Sequence, residues 1–260
     1  MDLNLKDKVY LITGGAKGIG RSIALTLITE GAIPVIVDKD DDAGQLLMKE
    51  IKDLGGKSIF IKTDLTEFDQ CMDAVHFAVE HFGQLDGLLN NAGINDNVGL
   101  ENGNPELFEM SLQKNLMHYY NMAHMALPHL KKSKGTILNT SSKTAVTGQG
   151  GTSGYVCAKA GILGLTRDWA IELLPYSIRV NALVPAEVWT PLYEWWVGTF
   201  PDPQAKKELI ASKIPFERRF TQPQEIADMA VFLLSSRASH ITGQYVFVDG
   251  GYTHLDRSIT

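Results

Sequence analysis

The chain has 260 residues, 44% of them hydrophobic and 21% charged, with a net charge of −6. That length and balance describe a globular protein with room for one large core or two small ones. The acidic excess argues against a nucleic-acid partner, and no stretch approaches the ~20 apolar residues of a membrane span.

VYLIT (9–13) reads as a buried strand, and the Gly-rich turn after it runs into a helical period. AIPVIVD (32–38) is strand again. A charged helix over 41–54 follows, with acids in its first turn, where the helix dipole favours them. SIFIK (58–62), a helix near 67–82 and LDGLLN (85–90) come next, then a long helical segment over about 105–131. GTILNTSS, a helix over about 153–174, IRVNALVP, the helix PQEIADMAVFLLS and QYVFVDGG complete the series. Continuous apolar strands alternating with helices predict a doubly wound α/β Rossmann fold, its parallel sheet covered on both faces. No linker, repeat or low-complexity tract interrupts it, so a single domain over 1–260 is expected. Residues 185–196, PAEVWTPLYEWW, scatter their aromatics over no single face, and a substrate flap at about 186–215 is expected there.

Cys71 and Cys157 lie far apart and form no CxxC pair, and MDLNLKDKVY lacks the apolar core of a signal peptide. A cytoplasmic location without disulfide or structural zinc is expected. The seven histidines include no i,i+4 pair, so no catalytic metal is expected.

TGGAKGIG (13–20) closes the first strand and opens a helix. Gly14, Gly18 and Gly20, with Lys17 and Ile19 among them, would let a pyrophosphate approach the backbone, facing free N–H groups at a helix N-terminus. A tight turn needing positive φ would demand similar glycines, so position carries the argument. Asp38 ends the second strand 18 positions after Gly20, near the ~20-residue offset of an acid that binds ribose hydroxyls. A carboxylate there repels a 2′-phosphate and favours NAD. Lys17 and Lys39 could meet that phosphate, which leaves NADP open.

Tyr155 and Lys159 are four apart in YVCAK and share one helix face. An ammonium near a phenol favours phenolate, which makes Tyr155 usable as a general base. NNAG (90–93) and NTSSK (139–143) end two further strands, and Ser142 precedes Tyr155 by 13. The carboxyl edge of a parallel sheet, where its order reverses, is where such sheets bind ligands.

TGxxxGxG, Asp64-Leu65, NNAG, Asn115, Ser142 and YxxxK together resemble the short-chain dehydrogenase/reductase family over nearly the whole chain. The resemblance implies strand order 3-2-1-4-5-6-7 and a tetrad of Asn115, Ser142, Tyr155 and Lys159. In it Ser142 orients the substrate hydroxyl and Tyr155 takes its proton. Lys159 lowers the tyrosine pKa and binds the nicotinamide ribose, and Asn115 holds a water that links Lys159 to solvent. Asp64 and Leu65 would lie by the adenine, Asn91, Ala92 and Gly93 along the cofactor, and Pro185, Val188 and Thr190 near the nicotinamide. Pro185-Ala186 departs from the family's usual Pro-Gly.

Within the family, NAGINDNVGL, NLMHYYNMAH, SSKTAVTGQGGTSGY, PAEVWTPLY and VDGGYTHLDR resemble the L-fucose dehydrogenases, which oxidise the anomeric carbon of an aldopyranose to a lactone. A sugar site needs polar partners for hydroxyls and an aromatic plane beneath the ring. Asn95, Lys143, Gln149 and Glu187 could supply the first, and Trp189 and Tyr193 the second, with Ser142 and Tyr155 at the reacting hydroxyl. Trp195 and Trp196 fit packing of the flap on itself or on a neighbour at least as well. The alternative substrate is a 17β-hydroxysteroid or other secondary alcohol. The resemblance also implies a homotetramer through the helices at about 105–131 and 153–174, with Tyr252 of the tail a candidate to reach a neighbour's pocket.

Overall fold

The computed structural model describes residues 2–255. Strands β1 (Val9–Thr13), β2 (Ile33–Asp38), β3 (Ile59–Lys62), β4 (Gly87–Asn90), β5 (Thr136–Thr140), β6 (Arg179–Pro185) and β7 (Tyr245–Val248) form one sheet. Its order is β3-β2-β1-β4-β5-β6-β7 and each neighbouring pair is parallel, as expected. The order reverses between β1 and β4, so the carboxyl ends of these two strands open a crevice.

The helices among the described residues are α1 (Gly18–Thr29), α2 (Asp41–Asp53), α3 (Phe68–Phe82), α4 (Pro105–Leu112), α5 (His118–Ser133), α6 (Ser153–Glu172), α7 (Pro191–Gly198), α8 (Pro203–Ala211) and α9 (Pro223–Leu234). Residues alternate across β1, as the two-residue period of a strand demands. Tyr10 and Ile12 join Ile23 and Leu27 of α1, Leu47 and Ile51 of α2 and Ile226 and Val231 of α9. Val9 and Leu11 join Cys71 and Val75 of α3, Met122 and Leu130 of α5 and Trp169 of α6. Both faces are therefore dry, which is why the strands read as unbroken apolar runs. At the amino end of β6, Arg179 donates to the carbonyls of Leu233 and Ser235 (2.8 and 3.1 Å), satisfying the C-terminus of α9.

Two segments differ from their sequence reading. The helix expected over 105–131 is broken by a π turn, Gln113–Met117, between α4 and α5. Buried Asn115 is the cause. Its side-chain amide donates to the Ser111 carbonyl (3.0 Å), the group a regular helix pairs with the Asn115 backbone N–H. The second segment, expected as a substrate flap with no helix assigned to it, holds α7 and α8. Each has a proline in its first turn and a side-chain cap: Thr190 accepts from the Tyr193 N–H (3.2 Å), and Asp202 from the Ala205 N–H (2.9 Å). A parallel bridge between Val188 and Thr221 closes the base of this excursion. There Trp189 N–H donates to Thr221 O (2.9 Å) and Thr221 N–H to Glu187 O (3.0 Å).

Candidate active site

The turn after β1 is made of backbone. Gly14 and Gly18 take positive φ (62° and 53°), and a Cβ at Gly20 would fall 2.2 Å from the Gly14 carbonyl oxygen. Lys17 at the N-cap of α1 makes no side-chain cap, so the first-turn N–H groups keep their capacity for an anion. Asp38, at the end of β2, accepts from the N–H groups of Ala16 and Asp40 (both 3.1 Å) and so holds the turn against the strand. Lys17 is engaged by Asp40, which also caps α2 through the Ala43 N–H (3.0 Å). Lys39 is exposed.

Asn91 stitches this turn to β4. Its side-chain amide donates to the carbonyls of Thr13 and Gly14 (both 3.1 Å), and its N–H to the Thr13 hydroxyl (2.9 Å). Ala92 N–H reaches the same hydroxyl (3.2 Å), and Gly93 faces Asn115 Oδ1 and Lys159 Nζ. Thr63 N–H donates to the Asp38 carbonyl (2.9 Å), which places Asp64 and Leu65 just beyond. The Asp64 carboxyl lies below the usual carboxylate range because Thr66 donates to it through its hydroxyl and N–H (2.7 and 3.0 Å). Ile19 is half-buried in α1, Pro185 ends β6 and Val188 is buried. The Thr190 methyl stands against Gly18. A glycine turn free of side chains of its own, an uncapped helix end and a carboxylate at β2 fit the pyrophosphate and ribose of a dinucleotide, and line one edge of the sheet.

The next strand ends carry the reactive groups. The Ser141 hydroxyl donates to the Lys159 carbonyl (2.7 Å), tying the end of β5 to α6. Ser142 then opens a short 3₁₀ turn and accepts from the hydroxyl and N–H of Thr144 (3.1 and 3.3 Å). Burial pushes the Tyr155 phenol up to about 12; a hydrogen bond with Ser142 pulls it down and the Glu187 charge pushes it up. Burial brings the Lys159 ammonium down to about 7. Its Nζ lies 5.6 Å from the centre of the Tyr155 ring and donates to the Thr140 carbonyl (2.8 Å) and the Tyr119 hydroxyl (3.2 Å). The Asn115 side chain turns elsewhere: its Oδ1 accepts from the Ile94 N–H (2.7 Å), and its amide donates to Ser111. Sequence reading missed Tyr119, because the π turn between it and Asn115 removes the usual helical-face signal.

Beyond Tyr155 stands a polar cluster. Lys143 pairs with Glu187 Oε1, and the Tyr193 hydroxyl donates to Glu187 Oε2 (2.6 Å). Burial and the Glu187 charge push the Tyr193 phenol far up. Lys143 Nζ also lies over the Tyr252 ring, 3.7 Å from its centre. Tyr252, a candidate to reach a neighbour, therefore covers Lys143 of its own chain; residues 256–260 of the tail lie outside the described residues. Trp189 packs against Phe220 (4.9 Å between centroids), with Lys207 Nζ 3.9 Å above its ring. Trp196 packs edge-on to Tyr193 and Phe200 (5.3 and 5.1 Å), while Trp195 is 68% exposed. Asn95 Oδ1 accepts from the Asn97 N–H (3.2 Å) in a local turn, and Gln149 is exposed in the loop before α6.

A family model described as enoyl-(acyl carrier protein) reductase matches residues 14–253. The chain belongs to the short-chain dehydrogenase/reductase family. Among curated members, it is 36% identical to the 3-oxoacyl-[acyl-carrier-protein] reductase of Thermotoga maritima, over 96% of this chain and 99% of that protein. It is also 36% identical to the L-fucose dehydrogenase of Oryctolagus cuniculus, over 94% of this chain and 84% of that one. Cyclohexanol dehydrogenase of Acinetobacter sp. is 37% identical, over 97% and 98%. Among solved structures, the Cj0485 dehydrogenase superposes with a TM-score of 0.96 at 48% identity, covering 99% of this chain and 98% of that one. The aldohexose dehydrogenase of Thermoplasma acidophilum superposes at 0.90 with 30% identity, covering 100% and 99%. A 3-ketoacyl-(acyl-carrier-protein) reductase from Brucella melitensis, complexed with NADH, gives 0.86 at 33% identity, covering 96% and 100%. The protein is thus an oxidoreductase of this family.

Proposed function

We propose that the protein oxidises the anomeric carbon of an aldopyranose, L-fucose or a close stereochemical relative, to the lactone. The observation that carries this reading is the cluster of Lys143, Glu187 and Tyr193 next to Tyr155. A paired charge and a phenol offer several donors and acceptors to a substrate with several hydroxyls. The three groups already pair with one another, and the donor and acceptor capacity they have left suits hydroxyls, which a plain apolar alcohol offers only once. The L-fucose and aldohexose dehydrogenases among its relatives support the same substrate class.

A nicotinamide dinucleotide, when bound, supplies the hydride acceptor and a positive charge. Gly14, Lys17, Gly18, Ile19 and Gly20, Asp38, Asp64, Leu65, the 91–93 segment, Pro185, Val188 and Thr190 would hold it. NAD is favoured over NADP because Asp38 offers a carboxylate to the ribose and Lys17 is already engaged by Asp40. Ser142 orients the C1 hydroxyl, and Tyr155 takes its proton as the C1–H bond breaks. Lys159 stabilises the resulting charge distribution, and Asn115 holds the water leading to solvent. In this reading 1–260 act as one cytoplasmic domain, with 186–215 as the substrate flap. Exposed Met110, Met117, Tyr120 and Ile171 support assembly into a homotetramer through α4, α5 and α6.

Similarity to cyclohexanol dehydrogenase favours a second reading, in which the substrate is an alicyclic secondary alcohol or hydroxysteroid. NADH absorbance with a panel of aldoses, alicyclic alcohols and oestradiol, with NAD and NADP, separates the two. The expected result is turnover of L-fucose with NAD and a loss of about 10²–10⁴-fold in Tyr155→Phe. Turnover confined to the alicyclic alcohols or the steroid transfers the assignment to the second reading. Full activity in Tyr155→Phe refutes the mechanism in both.

A further inference from the structure

Tyr119 lies outside the implied tetrad, yet it touches the lysine at its centre. A buried ammonium carries three donors and needs acceptors to remain charged. Among the described residues two acceptors meet Lys159 Nζ: the Thr140 carbonyl and the Tyr119 hydroxyl. Asn115 does not share this task, since its side chain is committed to Ile94 and Ser111. The Tyr119 hydroxyl donates its own proton to the Thr140 carbonyl (2.9 Å), so its oxygen lone pairs remain for the ammonium. Lysine, tyrosine and carbonyl form a closed triangle with one arrangement of donors.

Two features make the triangle rigid. Tyr119 is fully buried, and Asn90 at the end of β4 donates to its backbone carbonyl (3.3 Å). Parallel register sets Asn90 beside Asn139, to which it also donates (3.0 Å), and Asn139 donates to Thr166 of α6 (3.0 Å). The helix that carries Tyr119 and the helix that carries Lys159 are thus joined through two strand ends.

We infer that Tyr119 is a positioning residue of the reaction, whose hydroxyl, together with the Thr140 carbonyl, holds the Lys159 ammonium charged and aimed beside Tyr155. The inference rests on the reading of Tyr155 as the base. Burial keeps the Tyr119 phenol protonated, so it serves as a neutral acceptor. Adjacent His118 is brought down to about 4 by burial and adds no competing charge near neutrality. The further titratable group acting on Tyr119 is the Tyr155 phenol, and Tyr155 in turn meets Ser142 after β5 and feels the Glu187 charge after β6. None of them is a hydrogen-bond partner of Lys159 Nζ in this arrangement.

The test is Tyr119→Phe, which keeps the ring and removes only the hydroxyl. The Lys159 titration is followed by NMR of ε-carbon-labelled lysine, assigned by its loss in Lys159→Arg. Removing an acceptor destabilises the charged form, so the Lys159 midpoint is expected to fall by about one pH unit. At neutral pH, kcat on the alcohol that the wild type oxidises is expected to fall about tenfold with KM unchanged. A Lys159 midpoint and a pH–rate profile that both match wild type would overturn the inference while an inactive Tyr155→Phe left the reading of the site standing. A fully active Tyr155→Phe would overturn both.

Discussion

The turns after β1 and after β6 leave the same edge of one parallel sheet, and each runs into a helix, yet they are built from different materials. The first exposes backbone: glycines at positive φ and a helix N-terminus that the Lys17 side chain does not cap. The second is closed by side chains, with Thr190 capping α7 and Glu187 spending both carboxylate oxygens on Lys143 and Tyr193. An uncapped helix end keeps its N–H groups for an anion, whatever the rest of the ligand. In α7 Pro191 has no N–H, and Thr190 takes those of Tyr193 and Glu194 with its hydroxyl and carbonyl, so recognition there falls mainly to side chains. One turn therefore suits a constant ligand and the other a variable one.

The sharpest break in this contrast comes from Gly20→Ala. The added methyl would meet the Gly14 carbonyl at 2.2 Å and the Gly15 Cα at 2.8 Å, both backbone atoms that cannot step aside. Overpacking of about 1–3 kcal/mol predicts up to ~100-fold weaker NADH binding, read by quenching of protein fluorescence. Changes confined to Lys143, Glu187 and Tyr193 are expected to leave that affinity alone.

Glu187→Gln and Lys143→Gln probe the second turn through its effect on Tyr155. The Glu187 charge raises the Tyr155 phenol, so removing it lowers that pKa. A base works when deprotonated, so the rising limb of kcat/KM against pH should start at lower pH in Glu187→Gln. Lys143→Gln leaves Glu187 without its cation and should move the limb upward. Both should also lose about tenfold in the height of the profile with a sugar substrate, from one broken charged hydrogen bond. Profiles that stay in place would detach this cluster from the reacting groups.

The smallest effect separates two adjacent tryptophans. Trp195→Ala, at an exposed site, should change the melting free energy by less than ~0.5 kcal/mol. Trp196→Ala removes edge-on contacts with Tyr193 and Phe200 and should cost about 1–2 kcal/mol, with faster proteolysis of the 190–220 segment. Equal costs would mean that the segment has no packed interior of its own.

The same contrast explains what could be read before the structure. A turn made of backbone must write its requirement into residue identity, so the glycines of TGGAKGIG and the offset to Asp38 were legible, as were the seven strands. A cluster made of side chains writes nothing local. Lys143 and Glu187 are 44 residues apart and meet only because β5 and β6 are neighbours in register. Each was expected as a separate sugar contact; their pairing with each other was not. Asn95 and Gln149 carried no sign that one closes a local turn and the other sits exposed. Thr-Pro at 190–191 and Asp-Pro at 202–203 did announce α7 and α8, but the scattered aromatics around them masked the signal.

The bridge between Val188 and Thr221 means that the chain departs for α7 and α8 and comes back to enter α9 through one narrow neck. Everything between is a cassette. Closing a longer or shorter loop on the same neck costs only a logarithmic change in entropy, roughly 0.6 kcal/mol per doubling. A library of insertions, deletions and substitutions confined to residues 191–219 should therefore vary the accepted alcohol while leaving sheet register and dinucleotide affinity untouched.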